Sequence, residues 1–199
     1  MKKERFAWIH SWCDYALNED LPRVLLIGDS ITYGYEKIVR EMLQGVCYVD
    51  FLATSYSIDE KIYSKLVRAM VLDSKYKIIH FNHGLHGVHM SKRTYKSKMV
   101  KLLDWMSEQA NVIIATSTHC NLPNNEKAHP EWQKRVKQRN EVVLEYATQK
   151  SCNVDDLFSI SIKMPIEKRN ADGMHYTIEG YEILAESVVE SIKKQLKEF

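Results

Sequence analysis

Apolar residues along the chain fall into short solid blocks, separated by stretches in which they recur every three or four positions. The blocks read as buried strands and the stretches as amphipathic helices. Residues 2–18 carry Phe6, Ile9, Trp12 and Leu17 at helical spacing, which predicts a first helix. The run 24–27 predicts a strand, 35–44 a helix, 46–53 a strand and 58–72 a helix. Residues 77–81 predict a third strand, followed by a helix over 93–109. The β-branched "NVIIATST" at 111–118 predicts a fourth. A loop with Pro123 and Pro130 leads into a charged helix at 131–149. "CNVDDLF" predicts a fifth strand, and 178–197 a last helix, with Thr177 as its cap and Lys193, Lys194 and Lys197 at its negative end.

Strands that alternate with helices imply a parallel sheet covered on both faces, because each parallel crossover needs a helix-length connection. In such sheets the working loops lie beyond the carboxyl ends of the strands. Ser30 follows the first predicted strand, Ser55 the second, His83 and His86 the third and His119 the fourth. The polar residues able to do chemistry are thereby predicted to share one sheet edge.

Composition narrows the function classes. With 199 residues, 45% of them hydrophobic, the chain suits a single domain, 1–199. Lys and Arg number 28 against 26 Asp and Glu, and the basic residues are scattered, which argues against a nucleic-acid partner. No run is long enough to span a membrane, and Glu4, Arg5, His10 and Asp14 interrupt any signal-like core after Met-Lys-Lys. Cys13, Cys47, Cys120 and Cys152 are far apart and form no CxxC pair, so they read as reduced thiols of a cytoplasmic protein.

The first strand runs into "GDSITYG", 28–34. This is neither a GxxxxGK[ST] phosphate loop nor a GxGxxG dinucleotide turn, and Ile31-Thr32 breaks the GxSxG elbow. Taken alone, Ser30 reads as a residue capping a helix. A nucleophilic serine needs a base, and the base needs a carboxylate to orient it. "ADGMHYTIEGY" near the C-terminus places Asp172 three residues before His175, so one short loop carries both groups. The bland reading is an Asp-Gly turn beside a surface histidine. GDS after the first strand together with DxxH before the last helix favours a Ser-His-Asp arrangement.

Through these two blocks the chain resembles the SGNH (GDSL-type) hydrolases, a superfamily of serine esterases and lipases. Gly28-Asp29-Ser30 with Thr32 and Gly34 is similar to its nucleophile block, and Asp172-Gly173-Met174-His175 with Gly180-Tyr181 to its acid–base block. The resemblance implies an α/β fold, a three-layer flavodoxin-like α/β/α sandwich with about five parallel strands. It also implies a catalytic triad of Ser30, His175 and Asp172, and no metal or organic cofactor. The family's oxyanion hole takes the serine N–H, a glycine N–H after the second strand and an asparagine side chain. Here Ser55 is the best match to the glycine, and His86, in Gly84-Leu85-His86-Gly87, replaces the asparagine. Any non-proline residue supplies an N–H, and a neutral imidazole can donate, so the expected oxyanion hole is Ser30, Ser55 and His86.

His80, His83, His86 and His89 recur at three-residue intervals and raise a metal-dependent hydrolase as an alternative. Gly84 and Gly87 argue against a helix that would bring them to one ion. A ligand-binding protein with impaired catalysis is the other alternative. Asp29, Asn82, His83, His119 and Trp132 are candidate pocket residues, each with a structural reading beside it. The loop 119–132 is the candidate wall. The absence of a lid-like insertion points to small acyl esters, including O-acetyl groups on carbohydrates, as the small-molecule substrate.

Overall fold

The computed structural model describes residues 6–198. A six-stranded sheet forms its middle layer: β1 (Ile9–Trp12), β2 (Arg23–Gly28), β3 (Tyr48–Thr54), β4 (Tyr76–Phe81), β5 (Asn111–Ala115) and β6 (Asn153–Asp155), in the order β1-β3-β2-β4-β5-β6. Strands β2 to β6 pair in parallel, and β1 adds to the β3 edge antiparallel, with Ile9 opposite Thr54.

The sandwich follows from the sheet's side-chain alternation. Leu25 and Ile27 face one layer while Val24 and Leu26 face the other, and all four are fully buried. On the first face lie α2 (Lys61–Asp73), α3 (Lys92–Ser107) and α4 (Pro130–Lys150), packing Tyr63, Val67, Tyr95, Met99, Leu103 and Val142. On the second lie α1 (Ser30–Met42), the short α5 (Leu157–Ile162) and α6 (Ile178–Leu196), packing Tyr35, Val39, Leu157, Leu184, Val188 and Ile192. Each fully buried aliphatic side chain among them contributes about 1.5–3 kcal/mol of transfer free energy.

The predicted strands and the helices after the first reappear with shifted ends, and Thr177 Oγ1 does cap α6, accepting from the Gly180 N–H at 3.4 Å. The predicted helix over 2–18 does not form within the described residues; residues 2–5 lie outside them. In its place stands the exposed edge strand β1, followed by turns. Arg23 fixes this segment by donating to the carbonyls of Asp14 (2.7 Å), Tyr15 (3.0 Å) and Asn18 (3.2 Å) while its Nη1 pairs with Asp50 at 2.7 Å. Ile9 and Trp12, the expected core face, are 43% and 52% exposed. All four cysteines are free; Cys47 and Cys120 are buried, Cys13 and Cys152 half-buried. No described helix is long and apolar enough to cross a membrane.

Candidate active site

Strand β2 ends at Gly28 and the chain enters α1 at once, with Asp29 as the N-cap and Ser30 as the first helical residue. Asp29 Oδ1 accepts the Ile31 N–H at 2.9 Å, so this buried carboxylate is a cap rather than a pocket group. The cap expected at Ser30 falls instead to Asp29, and Ser30 takes the first helical position. At the first helical position the Ser30 N–H has no acceptor within the helix, and the helix dipole favours negative charge there.

The second half of the site arrives on a hairpin-like turn before α6. Arg169 bridges Tyr176, the Asn170 N–H donates to the His175 carbonyl (2.9 Å), and the Thr177 N–H to that of Lys168 (3.0 Å). Gly173 at the tip has φ +75°, and a Cβ there would run into the Asn121 carbonyl. Asp172 turns back on its own loop: Oδ1 accepts the N–H of Met174 (2.8 Å) and of His175 (2.9 Å). Its Oδ2 lies 2.6 Å from His175 Nδ1, and His175 Nε2 lies 2.8 Å from Ser30 Oγ. Partial burial pushes the Asp172 carboxyl up, but the hydrogen bonds from the His175 ring and the two N–H groups outweigh it and hold it below the usual carboxylate range.

The remaining candidate residues separate. The Ser55 N–H donates to the Trp8 carbonyl at 3.3 Å, and Ser55 Oγ accepts the Trp8 N–H at 3.0 Å. The edge strand has engaged the donor expected for the oxyanion, because the antiparallel pairing of β1 continues one residue past Thr54. Asn82 is structural; its Nδ2 donates to the carbonyls of Ala115 and Thr116, both at 3.1 Å, and ties the end of β4 to that of β5. His83 is buried edge-on to the Tyr63 ring at 4.8 Å, and burial, aided by the Arg139 charge, lowers its pKa to about 3. The His119 N–H donates to Ser161 Oγ at 2.9 Å, and its carbonyl receives Arg169. Trp132 stands edge-on to His129 at the start of α4. The 119–132 loop braces the turn that carries Asp172 and His175, with the N–H groups of Asn121 and Asn124 donating to the carbonyls of Gly173 (2.8 Å) and Ala171 (2.9 Å).

The spaced histidines take separate partners. His80 bonds Asp155 inside the sheet (2.9 Å), His83 packs on tyrosines, and His89 pairs with Asp59 (2.8 Å). Among the described residues no three His, Cys, Asp or Glu side chains are grouped to hold a metal ion. His86 is half-buried in the loop after β4, its ring edge-on to Trp8 at 6.5 Å. From Trp8 an aromatic row continues through His10 (5.2 Å) to Tyr33 (4.2 Å, stacked), one helical turn beyond Ser30. The sequence reading passed over this row, because it placed the residues around Trp8 on a helix.

A cleft of about 640 Å³ is lined by Asn111, Asn153, Tyr146 and Gln195. It lies at the amino ends of β5 and β6, the sheet edge opposite Ser30, Asp172 and His175.

Comparison with known proteins returns the same architecture. A lipase/acylhydrolase from Enterococcus faecalis superposes with a TM-score of 0.68 at 20% identity, covering 87% of this chain and 96% of the other. A putative SGNH hydrolase from Slackia heliotrinireducens gives 0.63 at 16% identity, covering 87% and 100%. This chain has an SGNH-hydrolase fold. The acetylxylan esterase Axe2 from Geobacillus stearothermophilus shares that fold, with a TM-score of 0.69, 17% identity and coverage of 86% and 94%. No family model and no curated protein matches the sequence. Within the SGNH-hydrolase fold, the GDS turn lies at the carboxyl end of β2 and the DxxH turn immediately before α6.

Proposed function

We propose that the chain is a serine esterase that hydrolyses small acyl esters through Ser30, His175 and Asp172. The observation that carries this reading is His175, with Nδ1 at 2.6 Å from Asp172 and Nε2 at 2.8 Å from Ser30. An ionised carboxylate only accepts, so the ring proton sits on Nδ1 and Nε2 keeps a lone pair toward the serine hydroxyl. That is the tautomer a general base requires.

His175 takes the Ser30 proton as Oγ attacks the ester carbonyl, and Asp172 stabilises the imidazolium. Collapse of the tetrahedral intermediate expels the alcohol, protonated by His175. Water, activated by the same ring, then frees the acid from Ser30. The Ser30 N–H and His86 are the proposed oxyanion donors; with Ser55 engaged by Trp8, the burden on His86 grows. Asp172 and His175 are 43% and 35% exposed, which suits a substrate whose ester projects from a larger polar body. The Trp8–His10–Tyr33 row supplies ring faces with N–H and O–H groups at their edges, which favours an O-acetyl carbohydrate. The acetylxylan esterase among the structural neighbours supports the same substrate class.

The test is hydrolysis of p-nitrophenyl acetate and butyrate by the protein and by Ser30→Ala, each with and without EDTA. The expected result is a loss of at least about a thousandfold in kcat/KM on substitution and none on chelation. Activity that survives Ser30→Ala and falls with EDTA would move the chemistry to metal-dependent hydrolysis. Sugar-ester binding without turnover would support the binding-protein alternative.

A further inference from the structure

Helix α4 directs two consecutive side chains at the loops that follow β4 and β5. Asn140 holds Ser117 by both backbone groups, accepting its N–H at 2.8 Å and donating to its carbonyl at 2.9 Å. Arg139, only 3% exposed, takes the loop that carries His86. Its Nη1 donates to the carbonyls of Gly84 and His86, the latter at 2.7 Å, and its Nη2 to that of Gly87 at 2.7 Å. The guanidinium lies over the Tyr95 ring, 4.7 Å from its centre, and the Tyr95 hydroxyl donates to the His83 carbonyl at 2.6 Å. Four of the five carbonyls in 83–87 are thus drawn toward α3 and α4.

This loop has no strand or helix ladder of its own, and its two glycines leave the backbone permissive. One planar fork satisfying three carbonyls sets its shape. A lysine ammonium, a compact point charge, cannot reproduce that arrangement. We infer that Arg139 is a positioning residue for ester hydrolysis, fixing the 83–87 loop so that His86 stands where the oxyanion forms. The inference rests on the esterase reading above and adds to it a residue that touches no substrate.

The test is a double-mutant cycle with Arg139→Met and His86→Ala, read as kcat and KM on p-nitrophenyl acetate, with melting temperatures beside them. Arg139→Met is expected to lower kcat about tenfold or more with KM within about twofold, and Arg139→Lys to fall between. In the His86→Ala background the same substitution should cost less than about threefold, because its effect passes through the missing ring. An equal cost in both backgrounds, or a rise in KM alone, would overturn the inference while leaving the esterase reading intact. If Arg139→Met does not fold, Arg139→Lys decides by the same cycle. Failure of both to fold would make the role one of stability and overturn it. Wild-type protein without Ser30-dependent turnover would overturn the inference and the esterase reading together.

Discussion

Asp172 binds His175 twice, through the ring Nδ1 at 2.6 Å and through the backbone N–H at 2.9 Å, with a different oxygen for each. One carboxylate therefore fixes both the rotation of the imidazole and the backbone that carries it. The closeness of the two residues in sequence makes this possible.

Asp172→Asn should keep the turn while disabling the base. An amide oriented to accept the backbone N–H bonds turns its NH2 toward Nδ1, which moves the ring proton to Nε2. The expected loss in kcat is about a hundred- to ten-thousandfold, with little change in melting temperature. Steady-state kinetics beside thermal unfolding would check it. Retention of more than a tenth of the activity would mean that Asp172 does not orient the base.

His83 gives the protein a pH dependence of stability unrelated to catalysis. Its folded pKa of about 3 lies below the ordinary value of 6.5, chiefly because burial excludes the imidazolium. Between those values the unfolded chain binds a proton that the folded chain does not, so stability rises with pH and is complete above 6.5. Between pH 7 and pH 5 this group should cost about 2 kcal/mol. Urea unfolding at the two pH values, for the protein and for His83→Gln, would show it. The difference should shrink in the variant whatever its absolute stability, and an unchanged difference would assign the effect to another group.

The aromatic row beside His86 is predicted to matter for the alcohol half of the substrate. Trp8→Ala should lower kcat/KM on an acetylated xylo-oligosaccharide about two- to tenfold through KM, and change p-nitrophenyl acetate turnover less. Equal effects on both substrates would argue that Trp8 supports the site rather than the sugar.

Much of this arrangement is legible in the sequence because it lies in local patterns. The short apolar run before Ser30 reads as a buried strand in a covered sheet, and GDS and DxxH each place their side chains within a few residues of an element end. The first helix misled because Phe6, Ile9 and Trp12 satisfy a helical period, although an edge strand tolerates the same residues. Pairing with β3 and the carbonyls captured by Arg23 decided the outcome, and both are long-range. The engagement of Ser55 by Trp8 stayed hidden for the same reason. Arg139 left a trace: it lies three residues after Val136 and four before Val143, both buried, so an arginine occupies the apolar face of α4. What it holds, three carbonyls of a loop some fifty residues earlier, has no local signature.

The central claim is that Ser30 is a nucleophile activated by His175. The most direct measurement is intact-mass and peptide mass spectrometry after treatment with a fluorophosphonate. The account predicts a single stoichiometric adduct on Ser30, formed on the protein and lost in both Ser30→Ala and His175→Ala. Ester hydrolysis by protein that forms no such adduct, or labels at another residue, would contradict it.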